Sequence, residues 1–174
     1  MKTEYLLNKE MEHVLAALLP ANRLVMRVAL HTGLRLGDVL ALKCDQLKNR
    51  FWVTQKKTGK PRMVGLPSDL IDELLSASRG SEWVFPHRDD KTRHRTRQAV
   101  WWDVKRAAVA FRFPQNVAPH SARKSYAVEL LAKYGDIERV QKALSHDRQT
   151  TTMLYAMADK LLEAKQGKRK GKGR

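Results

Sequence analysis

The sequence predicts a mainly α-helical α+β fold with one small antiparallel β-hairpin. Three observations predict it. Apolar residues recur at helical spacing through most of the 174 residues. One stretch alone, RFWVTQKKTGKPRMVGLP (50–67), turns strand-like on both sides of a Lys/Gly/Pro turn. Glycine and proline fall between the periodic segments, where helices start and stop.

The elements follow in order. Asn8 is placed to cap a helix through KEMEHVLAALL, with Glu10 and Glu12 in its first turn and Val14, Leu15, Leu18 and Leu19 as its apolar stripe. Pro20 ends it, and a second helix over roughly 21–31 buries Leu24, Val25, Val28 and Ala29 before Gly33 stops it. A third begins near Gly37 and Asp38. After the hairpin, Pro67 and Ser68 open a helix through DLIDELLSA, and SEWVFP reads as a short extended segment. The basic run RDDKTRHRTR reads as a loop, either facing DNA or simply solvated, and leads into a helix through QAVWWDVKRAAVAF. PHSARKSYAVELLAKY and DIERVQKALS form two more helices divided by Gly135. A short helix over Thr150–Tyr155, an amphipathic MADKLLEAK and a disordered basic tail complete the chain.

Composition narrows the function. No apolar run approaches the ~20 residues of a membrane span, and the N-terminus carries acids and lacks a signal-peptide core, so a cytoplasmic protein is expected. Cys44 is the lone cysteine, which excludes an internal disulfide and a cysteine metal cluster. The net charge is +16, and leaving out the ten-residue tail KQGKRKGKGR (165–174) lowers it only to +10 for the remainder. Such a charge repels itself unless it serves binding to an anion, and nucleic acid is the leading partner.

Metal hydrolysis is disfavoured: HExxH is absent and the acids are scattered rather than clustered as ligands, so no metal or cofactor is expected. Nor is there a GxSxG elbow. What remains are Arg35, Lys57, His120, Arg123, His146 and Tyr155, all at loops or element ends, where functional side chains sit on a rigid scaffold. Each one alone reads as surface charge, helix cap or packed aromatic. Together they suit a phosphodiester. Paired guanidinium groups hold its non-bridging oxygens without a metal. A tyrosine at its reference pKa of about 10 needs a base to become a nucleophile, and an alkoxide leaving group needs an acid.

The order and spacing of these residues resemble the catalytic domain of tyrosine recombinases, the phage-integrase family, across roughly residues 8–160. Thr32-Gly33-Leu34-Arg35 with Asp38 is similar to the family's first arginine box. Lys57 in KKTGK follows 22 residues on, HSAR (120–123) matches the H-x-x-R box, and His146 precedes Tyr155 by nine residues. The resemblance implies the tyrosine recombinase catalytic-domain fold and a role for each matched position. Arg35 and Arg123 would bind the scissile phosphate, His120 would exchange a proton with Tyr155, Lys57 would protonate the leaving 5′-oxygen, and His146 would hydrogen-bond the phosphate. Tyr155 would form a 3′-phosphotyrosyl link, with double-stranded DNA as partner and a homotetramer assembled on it.

Three positions depart from the family pattern: Ser145 where glycine is usual, Asp38 where glutamate is commoner, and Lys124 where histidine is frequent. The expected organisation is a catalytic domain over 1–164 and a basic tail over 165–174, with the family's N-terminal core-binding domain absent, either trimmed or naturally missing. Met157, Leu161 and Leu162 form an apolar stripe that would dock either on a neighbouring protomer or on its own domain. A site-specific recombinase is the leading reading. The alternatives are type IB topoisomerase-like relaxation and a non-cleaving DNA-binding protein on the same fold.

Overall fold

The computed structural model describes Leu6 and residues 8–144. The Asn8 side chain, the helix expected over Thr150–Tyr155, the stripe of Met157, Leu161 and Leu162, and the tail 165–174 lie outside the described residues. The elements are α1 (Asn8–Ala17), α2 (Pro20–Thr32), α3 (Leu36–Leu40), β1 (Arg50–Thr54), β2 (Pro61–Gly65), α4 (Ser68–Ser78), α5 (Arg97–Ala110), α6 (His120–Tyr134) and α7 (Ile137–Ala143). A 3-10 turn over Cys44–Gln46, unmarked by any periodicity, lies between α3 and β1.

Helix α2 occupies the centre because its apolar positions cover more than one face. Leu24, Val25, Met26, Val28 and Ala29 are all buried, and α1, α3, α5 and α6 pack around it. Burying side chains of this size contributes about 1.5–3 kcal/mol for each of the larger ones. Pro20, read from sequence as the end of the first helix, is instead the first residue of the second, where its missing N–H leaves no bond unmade. Because α1 already stops at Ala17, Leu19 falls in the bend and is 58% exposed, whereas Val14 and Leu18 reach the core as expected.

The hairpin pairs Phe51 with Val64 and Val53 with Arg62, so these four share the inward face, while Trp52 and Met63 pair on the exposed one. The SEWVFP segment, expected to be extended, forms no strand: it bends between isolated bridges at Trp83 and Pro86, its Val84 amide donating to Leu42 O at 3.0 Å and its Glu82 carbonyl accepting from the Cys44 amide at 2.9 Å. Within the basic loop, Asp90 accepts from the Thr92 amide (3.0 Å) and Arg93 Nε (2.7 Å), and Thr96 then caps α5 by accepting from the Ala99 amide. Among the described residues no helix is long and apolar enough to cross a membrane.

One buried carboxylate ties the first bend to α5. Asp103 Oδ2 accepts from the Leu19 amide (2.9 Å) and Asn22 Nδ2 (2.8 Å), and Oδ1 accepts from Arg106 Nη2 (2.6 Å). Burial by itself would raise the Asp103 pKa, but the donors on Asn22, Arg106 and Leu19 outweigh it and hold the carboxyl below its usual range. With the folded pKa depressed, this stabilisation is complete above the unfolded value of about 4 and is lost as pH falls through the folded one. Asp103→Asn turns an N–H2 toward donors and should lower unfolding free energy at pH 7 by about 2 kcal/mol. Urea melts should then show the gap between wild type and variant closing below about pH 4.

Candidate active site

The first arginine motif is built by a helix stop. Gly33 takes the left-handed conformation at φ 61°, its amide donating back to Ala29 O at 2.8 Å to end α2. The chain then reverses, and Arg35 becomes the N-terminal boundary residue of α3, its carbonyl accepting from the Asp38 and Val39 amides. A Cβ at residue 33 would lie 2.2 Å from Tyr126 Cδ1 on α6, so glycine is required by contact as well as by backbone angle.

Three guanidinium groups gather at this turn. Arg123 on α6 is 1% exposed; its Nη1 donates to Gly33 O and its Nη2 to Leu144 O at 2.8 Å. Arg62 on β2 donates Nη2 to Thr32 O (2.5 Å) and Nη1 to Gly33 O (3.4 Å), with its guanidinium carbon 5.9 Å from the Tyr126 ring centre. Burial lowers the Arg62 pKa; Tyr126 opposes the shift and the nearby Arg35 charge adds to it. An arginine so perturbed still keeps its proton. Arg35 reaches the other way, donating Nη1 to the buried Gln55 Oε1 at 2.9 Å.

Lys57 sits in the exposed turn between β1 and β2, as expected. The neighbouring Lys56 amide donates to Asp38 Oδ1 at 3.0 Å, so the turn is held to α3. His120 is the first residue of α6, half-buried, and with Arg123 it lines a cleft of about 760 Å³. Arg97, Gln98, Trp101 and Trp102 line the same cleft, and Trp102 is 61% exposed. Arg35, Lys57, His120 and Arg123 are therefore carried by elements that meet at the Gly33 turn. His146 and Tyr155 lie outside the described residues, and the described chain ends at Leu144, which Arg123 holds. The arrangement concentrates positive charge around a concave surface and suits an anion.

Sequence reasoning missed Gln55 and Arg62. Strand alternation carried a signal for both, since Gln55 follows Phe51 and Val53 on the inward face and Arg62 precedes Val64 there. A polar residue at an inward position asks for a partner.

Comparison with known proteins identifies the architecture. The family model described as the phage integrase family matches residues 4–161. The chain belongs to that family. The integrase of Escherichia phage P2 is 31% identical over 156 residues, covering 89% of this chain and 43% of the relative. The integrase-family chain also shares its fold with the lambda integrase catalytic core: TM-score 0.71 at 19% identity, covering 84% of this chain and 93% of that one. A lambda integrase tetramer bound to a Holliday junction aligns with TM-score 0.66 at 22% identity, covering 84% of this chain and 48% of that one. The chain spans about half the length of the curated relatives it matches.

Gly33→Ala should destabilise this integrase-family chain by about 2–5 kcal/mol, combining left-handed backbone strain with overpacking against the ring. Because the overpacking is a pair property, adding Tyr126→Ala should cost less than the two separate losses predict. Chemical denaturation of the two single variants and the double variant measures it, and strict additivity would contradict the contact.

Proposed function

We propose that this chain is the catalytic domain of a site-specific DNA recombinase that cleaves and rejoins strands through Tyr155. The carrying observation is that the hairpin turn bearing Lys57, α3 with Arg35, and α6 with His120 and Arg123 converge on the Gly33 turn. The matched order of motifs extends this set to His146 and Tyr155.

In the proposed reaction Arg35 and Arg123 face the non-bridging oxygens of the scissile phosphate and stabilise charge that grows as the phenolate adds. His120 takes the Tyr155 proton. The phosphorus–O5′ bond breaks as the Tyr155 oxygen–phosphorus bond forms, and Lys57 supplies the proton that leaves with the 5′-hydroxyl. The 3′-phosphotyrosyl link keeps a reactive phosphodiester, so a 5′-hydroxyl from another strand reverses the step without a metal or nucleotide. Double-stranded DNA is the proposed substrate, and a homotetramer the proposed assembly by analogy with the lambda integrase complex on its junction. Residues 1–164 are proposed as the catalytic domain and 165–174 as a basic tail adding phosphate contacts.

The test is covalent capture from a pool of nicked duplexes with randomised sequence, which also isolates the site. Wild type should form a denaturant-resistant DNA adduct in the presence of a chelator, and Tyr155→Phe should form none. Arg35→Ala should slow adduct formation by about 10²–10³-fold. Equal adduct from wild type and Tyr155→Phe would falsify the nucleophile assignment.

A further inference from the structure

We infer that Gln55 is a positioning residue for strand cleavage, tying the Arg35 guanidinium to the turn that carries Lys57 so that phosphate engagement and leaving-group protonation are geometrically coupled. The inference rests on the recombinase reading above.

Gln55 is 0% exposed, directly after β1 and on the same face as Phe51 and Val53. A leucine or methionine would fill that space without desolvating an amide, and a buried amide is tolerated only when it is bonded. Its Oε1 accepts from Arg35 Nη1 at 2.9 Å, twenty residues away in the chain. Its backbone closes the turn: the Gln55 amide donates to Lys60 O (3.1 Å), and its carbonyl accepts from the Thr58 (3.2 Å) and Gly59 (2.8 Å) amides. A second bond returns to the arginine helix, from the Lys56 amide to Asp38 Oδ1 at 3.0 Å, while the Asp38 amide donates to Arg35 O at 2.8 Å.

These bonds form a closed circuit: Arg35 side chain, Gln55, Lys56, Asp38, and back to Arg35. Lys57 lies in the adjoining turn, between Lys56 of the circuit and the Thr58 and Gly59 amides that the Gln55 carbonyl holds, so the backbone beneath its exposed four-carbon stem sets where its ammonium can reach. Gln55 needs no contact with DNA to do this. It fixes the distance between the group that grips the phosphate and the group that protonates the atom leaving it.

The test uses the full chain and the site recovered by covalent capture, in two nicked duplexes. One has the ordinary phosphodiester; the other has sulfur replacing the leaving 5′-oxygen, so that a thiolate departs without needing a proton. Gln55→Leu should slow adduct formation on the oxygen substrate by about 10–100-fold, and on the sulfur substrate it should stay within about 3-fold of wild type, the pattern of a lost general acid. Lys57→Ala should behave in the same way, whereas Arg35→Ala should be slow on both. Gln55→Glu keeps the acceptor and should retain the wild-type ratio between the substrates.

Amide hydrogen exchange supplies a readout independent of DNA. Arg35→Met and Gln55→Leu should each speed exchange at Lys56, Thr58 and Gly59, and the double variant should exchange no faster than either single one. Should Gln55→Leu fail to fold, Arg35→Met in exchange and Gln55→Glu in cleavage carry the test. Equal defects on oxygen and sulfur substrates, or unchanged exchange in the turn, overturn the positioning role while wild type remains active. A wild type that forms no adduct on either substrate overturns the recombinase reading and this inference together.

Discussion

The carbonyl oxygen of Gly33 accepts from two guanidinium groups, Arg123 on α6 and Arg62 on β2, and the backbone presenting it depends on the absence of a side chain. Ninety residues of sequence separate Gly33 from Arg123. Helix α2 supplies the rigid stem, since its buried face is packed by four other helices and its end is therefore not free to drift. The left-handed stop aims the carbonyl away from the helix axis, and the Tyr126 ring closes over the glycine. With a Cβ at residue 33 the ring would be displaced, and Arg62, which lies over that ring, would lose its support. The hairpin, the arginine helix and α6 are thus registered against one another at a single peptide unit.

Gathering positive charge at one turn is unfavourable until something offsets the repulsion, and among the described residues backbone dipoles and the Asp38 carboxylate both do so. Arg62 and Arg123 donate to the carbonyls of Thr32, Gly33 and Leu144, and the buried Asp38 carboxylate, which accepts from the Lys56 amide, favours the charged form of Arg62. Carbonyl acceptors satisfy guanidinium donors without neutralising their charge, so the cleft keeps its attraction for an anion. Catalysis by fixed charge, as proposed for this site, is helped by such dipoles, because they are already oriented before the substrate arrives.

Local signals made much of the fold legible in the sequence. Gly33 and Gly135 end helices where glycine was read as a stop, and the Lys/Gly/Pro turn joins two strands as its residue types require. The failures came where an element's end depended on a distant partner. Leu19 continues the apolar spacing of α1, but its amide is taken by Asp103 on α5, so the helix has already ended and the side chain faces solvent. In the site, Arg35 and Lys57 could be placed on a turn and a hairpin from sequence, but not the bonds through Gln55 and Asp38 that join them. Those bonds span about twenty residues across two element types, and no periodicity encodes such a pairing.

Arg123 shows why matching a motif and understanding it are different tasks. As part of an H-x-x-R box it was read as a phosphate ligand, yet in the structure its terminal nitrogens hold Gly33 O and Leu144 O and its side chain is almost wholly covered. The proposed phosphate contact is compatible with these bonds, because a guanidinium carries five N–H donors and the group borders the cleft it shares with His120. They also explain why lysine could not serve here. A point charge could not span two carbonyls in fixed directions. Leu144 follows α7 at the end of the described residues, so the arginine that braces the first motif also holds the end of α7. A substitution at Arg123 therefore removes charge and scaffold together, and loss of activity in such a variant cannot be assigned to phosphate binding alone.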